Sequence, residues 1–205
     1  MPKVGAPASL CLQIVVLATS LAVGACGSTP EAERRYAEGL KLHTSGDWHE
    51  AIAEFDQAIE LDTSYVEALV ARGLVYIELG QMDAAIVSLD RAISYDNKHA
   101  DAYAWRAYAH YMDRAYGPAH RDAGKAIRLN DQLAIGYALL AANSDAEGRS
   151  YTSDMRRSID LDPAMAHVYV IRGIIRGGND DPDRAIQDFE MAIELDEDLA
   201  WRTSG

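Results

Sequence analysis

"AIAEFDQAIELD", Ala51 to Asp62, returns as "AIQDFEMAIELD", Ala185 to Asp196, with eight of twelve positions identical across 134 residues. Weaker copies lie between: "AIVSLDRAISYD" begins at Ala85 and "AHRDAGKAIRLN" at Ala119, each 34 residues after the one before. A fourth copy keeps only its end, "SIDLD", closing at Asp162, 32 residues past Asn130 and 34 before Asp196. The chain is therefore a five-fold internal repeat with a period of 34 and one two-residue deletion. A fixed period of this size predicts short structural units that cannot bury their apolar face alone and stack on their neighbours.

Counted from Ala32, Val66, Ala100, Ala134 and Ala166, the units share a pattern at helical spacing. Position 8 is small: Gly39, Gly73, Ala107, Ala141 and Gly173. Position 20 is alanine in four units, and position 27 is alanine in four with Ser158 in the other. Position 24 carries Phe55, Leu89 and Phe189. Small residues on one helix let a second approach closely, and the bulky ones fill the space between. "SGDW" (45–48) and "LGQM" (79–82) separate a helix A from a helix B, their glycines suiting a helix C-terminus. Pro163 predicts the end of a helix B, while Pro118 and Pro182 fall near the starts of theirs.

With G-x2-Y at Gly73 to Tyr76, A-x3-[FL]-x2-A and "LDP", the 34-residue unit resembles the tetratricopeptide repeat. The resemblance covers 32–199 and implies an all-α fold, a right-handed α-solenoid of five helical hairpins: 32–65, 66–99, 100–133, 134–165 and 166–199. The family's aromatic at position 4 is replaced by Arg35 and Leu69 in the first two units, and its proline at position 32 survives only as Pro163. Unit four, with its deletion and the polar run Asn143-Ser144-Asp145, is expected to be the least stable unit and a hinge.

The first 25 residues differ in kind: one basic residue, Lys3, no acid, and an apolar stretch from Leu10 to Val23. That stretch is short for a membrane span and predicts a secretory signal. It runs through Val23-Gly24-Ala25 into Cys26, which resembles the bacterial lipobox and implies cleavage after residue 25 and diacylation of Cys26. Cys11 would leave with the signal, so Cys26 would be the single thiol of the mature chain. Residues 26–31 form a tether, with Thr29 as helix cap, and 200–205 a C-terminal tail after "LAWRTSG". Gly27 after the cysteine implies, in family terms, sorting to an outer membrane facing the periplasm in a two-membraned bacterium. Beyond residue 25 the chain has 18 basic and 32 acidic residues, a net charge of −14, which argues against nucleic acid as a partner.

No motif predicts a catalytic residue, a metal or a cofactor. The acids at Asp180, Asp181, Asp183 and at Asp196, Glu197, Asp198 fall at turns and helix ends, and the six histidines are scattered without ligand spacing. There is no G-x-S-x-G elbow and no phosphate-cradling glycine loop. What remains is the concave face that the resemblance implies. Its partner-binding stripe is Tyr36, Leu40, Val70, Leu74, Ile77, Trp105, Tyr108, Tyr111, Val170 and Ile174, apolar and aromatic throughout. The Lys and Asn of the family's carboxylate clamp are absent from positions 5 and 9, so a helix or extended peptide with apolar anchors is the expected ligand. The expected function is a lipid-anchored adaptor for protein partners in the envelope, or in secretion or pilus assembly. Two other readings stand beside it: a homo-oligomer built through the groove or through a C-terminal helix carrying Ile186 and Ile193, and a hydrolase with an unrecognised site.

Overall fold

The computed structural model describes residues 28–196. The signal segment, Cys26, and the terminal Leu199 and Trp201 lie outside the described residues. Those described form ten helices. Unit one is α1 (Pro30–Thr44) and α2 (Trp48–Leu61); unit two is α3 (Val66–Glu78) and α4 (Met82–Tyr95). Unit three is α5 (Ala100–Met112) and α6 (Tyr116–Leu129), and unit four is α7 (Ala134–Ala146) and α8 (Thr152–Leu161). Unit five is α9 (Ala166–Gly178) and α10 (Pro182–Leu195). The A helices after the first begin where the repeat units begin. In unit one, α1 starts two residues before Ala32, because Thr29 caps it by accepting from the Ala32 N–H at 3.2 Å and Pro30 occupies its first turn.

Two turn devices recur. Inside each hairpin, the residue after the helix A cap has positive φ: Gly46 (78°), Gly80 (70°), Arg114 (62°), Gly148 (67°) and Asp180 (56°). The next N–H then reaches back to a carbonyl of the last turn, as in Gln81 to Tyr76 and Ala115 to His110, both 2.8 Å. Between hairpins, the acid or amide that closes the repeated stretch makes the turn. Asp62 Oδ1 accepts from the Ser64 N–H, Asp96 from Lys98, Asn130 from Gln132 and Asp162 from Ala164, at 2.9 to 3.0 Å. An Asx turn of this kind needs Asp or Asn, which is why "LD" or "LN" keeps recurring at the period.

The small residues of helix A meet the large ones of helix B. A Cβ at Gly39 would lie 2.5 Å from the Phe55 ring, at Gly73 2.9 Å from Leu89 Cγ, and at Gly173 2.6 Å from the Phe189 ring. Phe55 and Leu89 have no exposed surface. One core runs through the units, and a smaller cluster of Ala166, Tyr169, Val170 and Ala192 closes the last hairpin.

Unit four departs from this frame in its helix B alone. α8 has 10 residues against 14 in the other B helices. Two residues are missing from the chain and two more have passed into the preceding loop. Ser158, where the other units have alanine, is buried and donates to the Ala134 carbonyl at 2.7 Å, so its hydroxyl stays satisfied.

Candidate functional site

The A helices place the sequence-predicted stripe on neighbouring turns of successive units. The structure brings these residues together but buries most of them. Tyr36, Val70, Leu74, Ile77, Trp105, Tyr108 and Val170 are each at most 8% exposed and belong to the packed interior. Leu40 and Tyr111 are half-buried, and Ile174 is 39% exposed. Leu40, Tyr111 and Ile174 are thus the accessible members of the stripe, and the rest pack into the interior.

Closure is tightest around His167, in the first turn of α9. Its ring stands edge-on to Trp105 and Tyr108 of α5, centroids 5.1 and 5.0 Å away, and its Nε2 lies 3.9 Å from Glu78 Oε1 at the end of α3. Units two, three and five therefore meet across the concave side. At the other end Tyr36 packs on Phe55 and Tyr65, centroids 5.9 and 5.2 Å away. Burial raises the phenol pKa values of Tyr36 and Tyr111 above the ordinary tyrosine range and pushes Tyr65 up to about 12. These phenol rings present neutral surface. Among the described residues, no group of three or more His, Cys, Asp or Glu is placed to hold a metal. No helix among them is long and apolar enough to cross a membrane.

A second constellation escaped the sequence reading. Arg72, Arg106 and Arg172 sit one residue before the small position 8; the first two reach partners 16 residues away in both directions, and Arg172 reaches forward only. Arg72 donates to Asp56 in the preceding unit and to Ser88 in its own. Arg106 donates to Asp90 at 2.6 Å and, through two nitrogens, to Asp122 at 2.7 and 2.8 Å. Arg172 grips Asp188 at 2.6 to 3.0 Å, and Arg176 joins the same carboxylate at 2.8 Å. Arg72 and Arg106 clamp one hairpin to the next, while Arg172 and Arg176 tie together the two helices of unit five. Burial lowers the pKa of Arg106 and the two carboxylates raise it more, so it is held above the ordinary arginine value. In unit four the rung is missing on both sides, with Leu140 for the arginine and Gly124 for the acid. The legible signal was an arginine recurring beside the small residue, with an acid 16 residues away.

An array of stacked helical hairpins is an α-solenoid. Residues 39–80 and 73–113 match the family model described as TPR repeat. A crystal structure of MamA is 28% identical, covering 80% of this chain and 96% of that one, with a TM-score of 0.56. YrrB, described as a TPR protein with an unusual peptide-binding site, is 17% identical over 94% of this chain and 97% of its own, with a TM-score of 0.56. The first TPR of Spaghetti (RPAP3), solved bound to the HSP90 peptide SRMEEVD, is 19% identical over 61% of this chain and 99% of its own, with a TM-score of 0.57. No curated protein sequence matches. Residues 39–113 carry tetratricopeptide repeats, and the described residues have the tetratricopeptide-repeat fold.

Proposed function

We propose that the chain is a protein-binding scaffold held at a membrane by lipid on Cys26, acting as an adaptor in envelope, secretion or pilus assembly. The observation that carries the reading is the repeat solenoid with an apolar and aromatic concave side, of which Leu40, Tyr111 and Ile174 remain accessible. Apolar side chains left accessible on a concave repeat face are a usual place for a peptide or helix with apolar anchors. The peptide complex of RPAP3 and the peptide-binding site described for YrrB are consistent with it. No chemical step is assigned. Two acyl chains on Cys26 hold firmly where one is marginal. Only three residues separate Cys26 from the start of α1 at Pro30, a reach of at most ~14 Å, so the first hairpin would ride close to the bilayer.

The test is crosslinking capture from envelopes with the lipidated full chain against a Leu40→Glu, Ile174→Glu variant, with circular dichroism as the folding control. One protein lost from the variant's catch at unchanged helicity supports the reading, and identical catches refute the groove. Metabolic labelling with a palmitate analogue, compared in a Cys26→Ala variant, tests the anchor. A homo-oligomer through α10 is the second reading, favoured by Ile186 (55% exposed) and Met191 (40% exposed) on that helix. It requires a mass that rises with concentration and falls to the monomer in Ile186→Glu.

A further inference from the structure

The arginine ladder reverses charge at its last rung. For Arg72 and Arg106 the residue 16 positions back is an acid, Asp56 and Asp90, which neutralises the guanidinium from the preceding hairpin. For Arg172 that position is Arg156. The carboxylate is gone, a cation has replaced it, and Arg156 has no acidic partner among the described residues.

The same place is where α8 falls short. Without the first turn that the other B helices have, unit four leaves a cleft of about 360 Å³ against unit five. Arg156, Arg172, Arg176 and Arg184 line it, opposed by Asp160 and Asp181. Asp188, 2% exposed, holds Arg172 and Arg176 together. Asp181 pairs with Arg184 at 2.6 Å. Four guanidiniums face three carboxylates, a local surplus of one positive charge in a chain of net charge −13. One buried carboxylate shared by two arginines leaves donors on both uncommitted, and a guanidinium is matched to a carboxylate in shape as well as charge. Tyr151, Met155 and Ile159 supply an apolar wall.

We propose that this cleft binds an acidic peptide segment, one of whose carboxylates takes the place of the missing rung between Arg156 and Arg172 while a neighbouring apolar side chain rests on Tyr151 and Ile159. None of the lining residues belongs to the concave stripe, so the site stands independently of the groove. A single carboxylate satisfies the surplus charge.

The probe is a labelled hexapeptide of two Glu-Glu-Leu units, followed by fluorescence anisotropy on the full chain, with the Gln-Gln-Leu peptide as the neutral control. Saturable binding is expected, at least tenfold weaker for the Gln peptide and weakened by salt. Arg156→Asp should lose at least tenfold in affinity and melt at a higher temperature than the native chain, because its own carboxylate completes the rung. Arg156→Gln should lose affinity without that gain. Arg157→Asp, an equal change of charge one residue away and outside the cleft, should bind as the native chain does. The proposal is overturned if the native chain ignores the Glu peptide, if Arg156→Asp or the Gln peptide binds as well, or if Arg157→Asp loses as much. Binding of inorganic phosphate with no binding of the peptide overturns it too, in favour of a free-anion site.

Discussion

Replacing Gly39 by alanine should destabilise the protein, although alanine is the better helix former. In an exposed helix interior, Gly→Ala stabilises by about 1 kcal/mol. At Gly39 the new Cβ would lie 2.5, 2.7 and 3.1 Å from three carbons of the Phe55 ring, where unstrained carbon contacts need about 3.5 to 4.0 Å. The ring has no exposed surface and sits in the packed core, so it has little room to retreat, and α1 and α2 must separate by about 1 Å. Overpacking of this kind costs about 1 to 3 kcal/mol. A contact this short belongs at the upper end, so the net loss should be about 2 kcal/mol. Gly124→Ala in α6 is the matched control. Its Cβ would approach only the flexible end of Arg128, at 3.3 Å, and about 0.5 to 1 kcal/mol should be gained. Urea unfolding followed by circular dichroism reads both. The double variant Gly39→Ala, Phe55→Leu should recover at least about 1 kcal/mol of coupling. Equal stabilisation by the two alanines, or no coupling with Phe55, would falsify the close-approach argument.

Three further outcomes are expected. Arg106→Leu should cost about 2 to 3 kcal/mol by stranding the nearly buried Asp122, and adding Asp122→Ala should return most of it, since unit four does without this rung; an additive double variant would sink the ladder's role. Arg114→Gly should raise the free energy of unfolding by about 1 kcal/mol, because a residue with a Cβ is held at a φ of 62° where glycine is at ease; a loss instead would mean the Arg114 side chain matters more than its backbone. The Glu31 carboxyl, accepting from Arg34 and then Arg35, should titrate at about 2 by NMR. Its pKa is depressed in the folded state, so its contribution is present above the ordinary carboxylate range and is lost as pH falls through about 2; titration in the ordinary range would deny the pairing.

Local physics was legible in the chain because each unit repeats it. The 34-residue period, the small residue of helix A set against the bulky one of helix B, and the cap at Thr29 all depend on residues close in sequence. The Asx turns were present in the letters too, as the Asp or Asn ending each copy, although their task becomes visible only with the Ser64, Lys98, Gln132 and Ala164 N–H groups bonded to them.

What lay out of reach was whatever depends on how the units sit on one another. Leu74 and Ile174 occupy the same position of their units, yet one is 7% and the other 39% exposed, since Leu74 has a unit stacked on either side and Ile174 lies in the last unit. The meeting of His167 with Trp105 and Glu78 joins residues 62 and 89 positions apart, and only the accumulated turn of the array brings them together. The two-residue deletion could be counted in the sequence; that it shortens α8 and opens a cleft onto Arg156 and Arg172 could not, because a deletion states how much chain is lost and packing decides which surface it uncovers. The sequence by itself determined the repeat, its helices and its turns, through interactions within one hairpin. The tertiary structure alone decided which apolar side chains stay accessible and where charge is left unmatched, because both are properties of the spaces between hairpins.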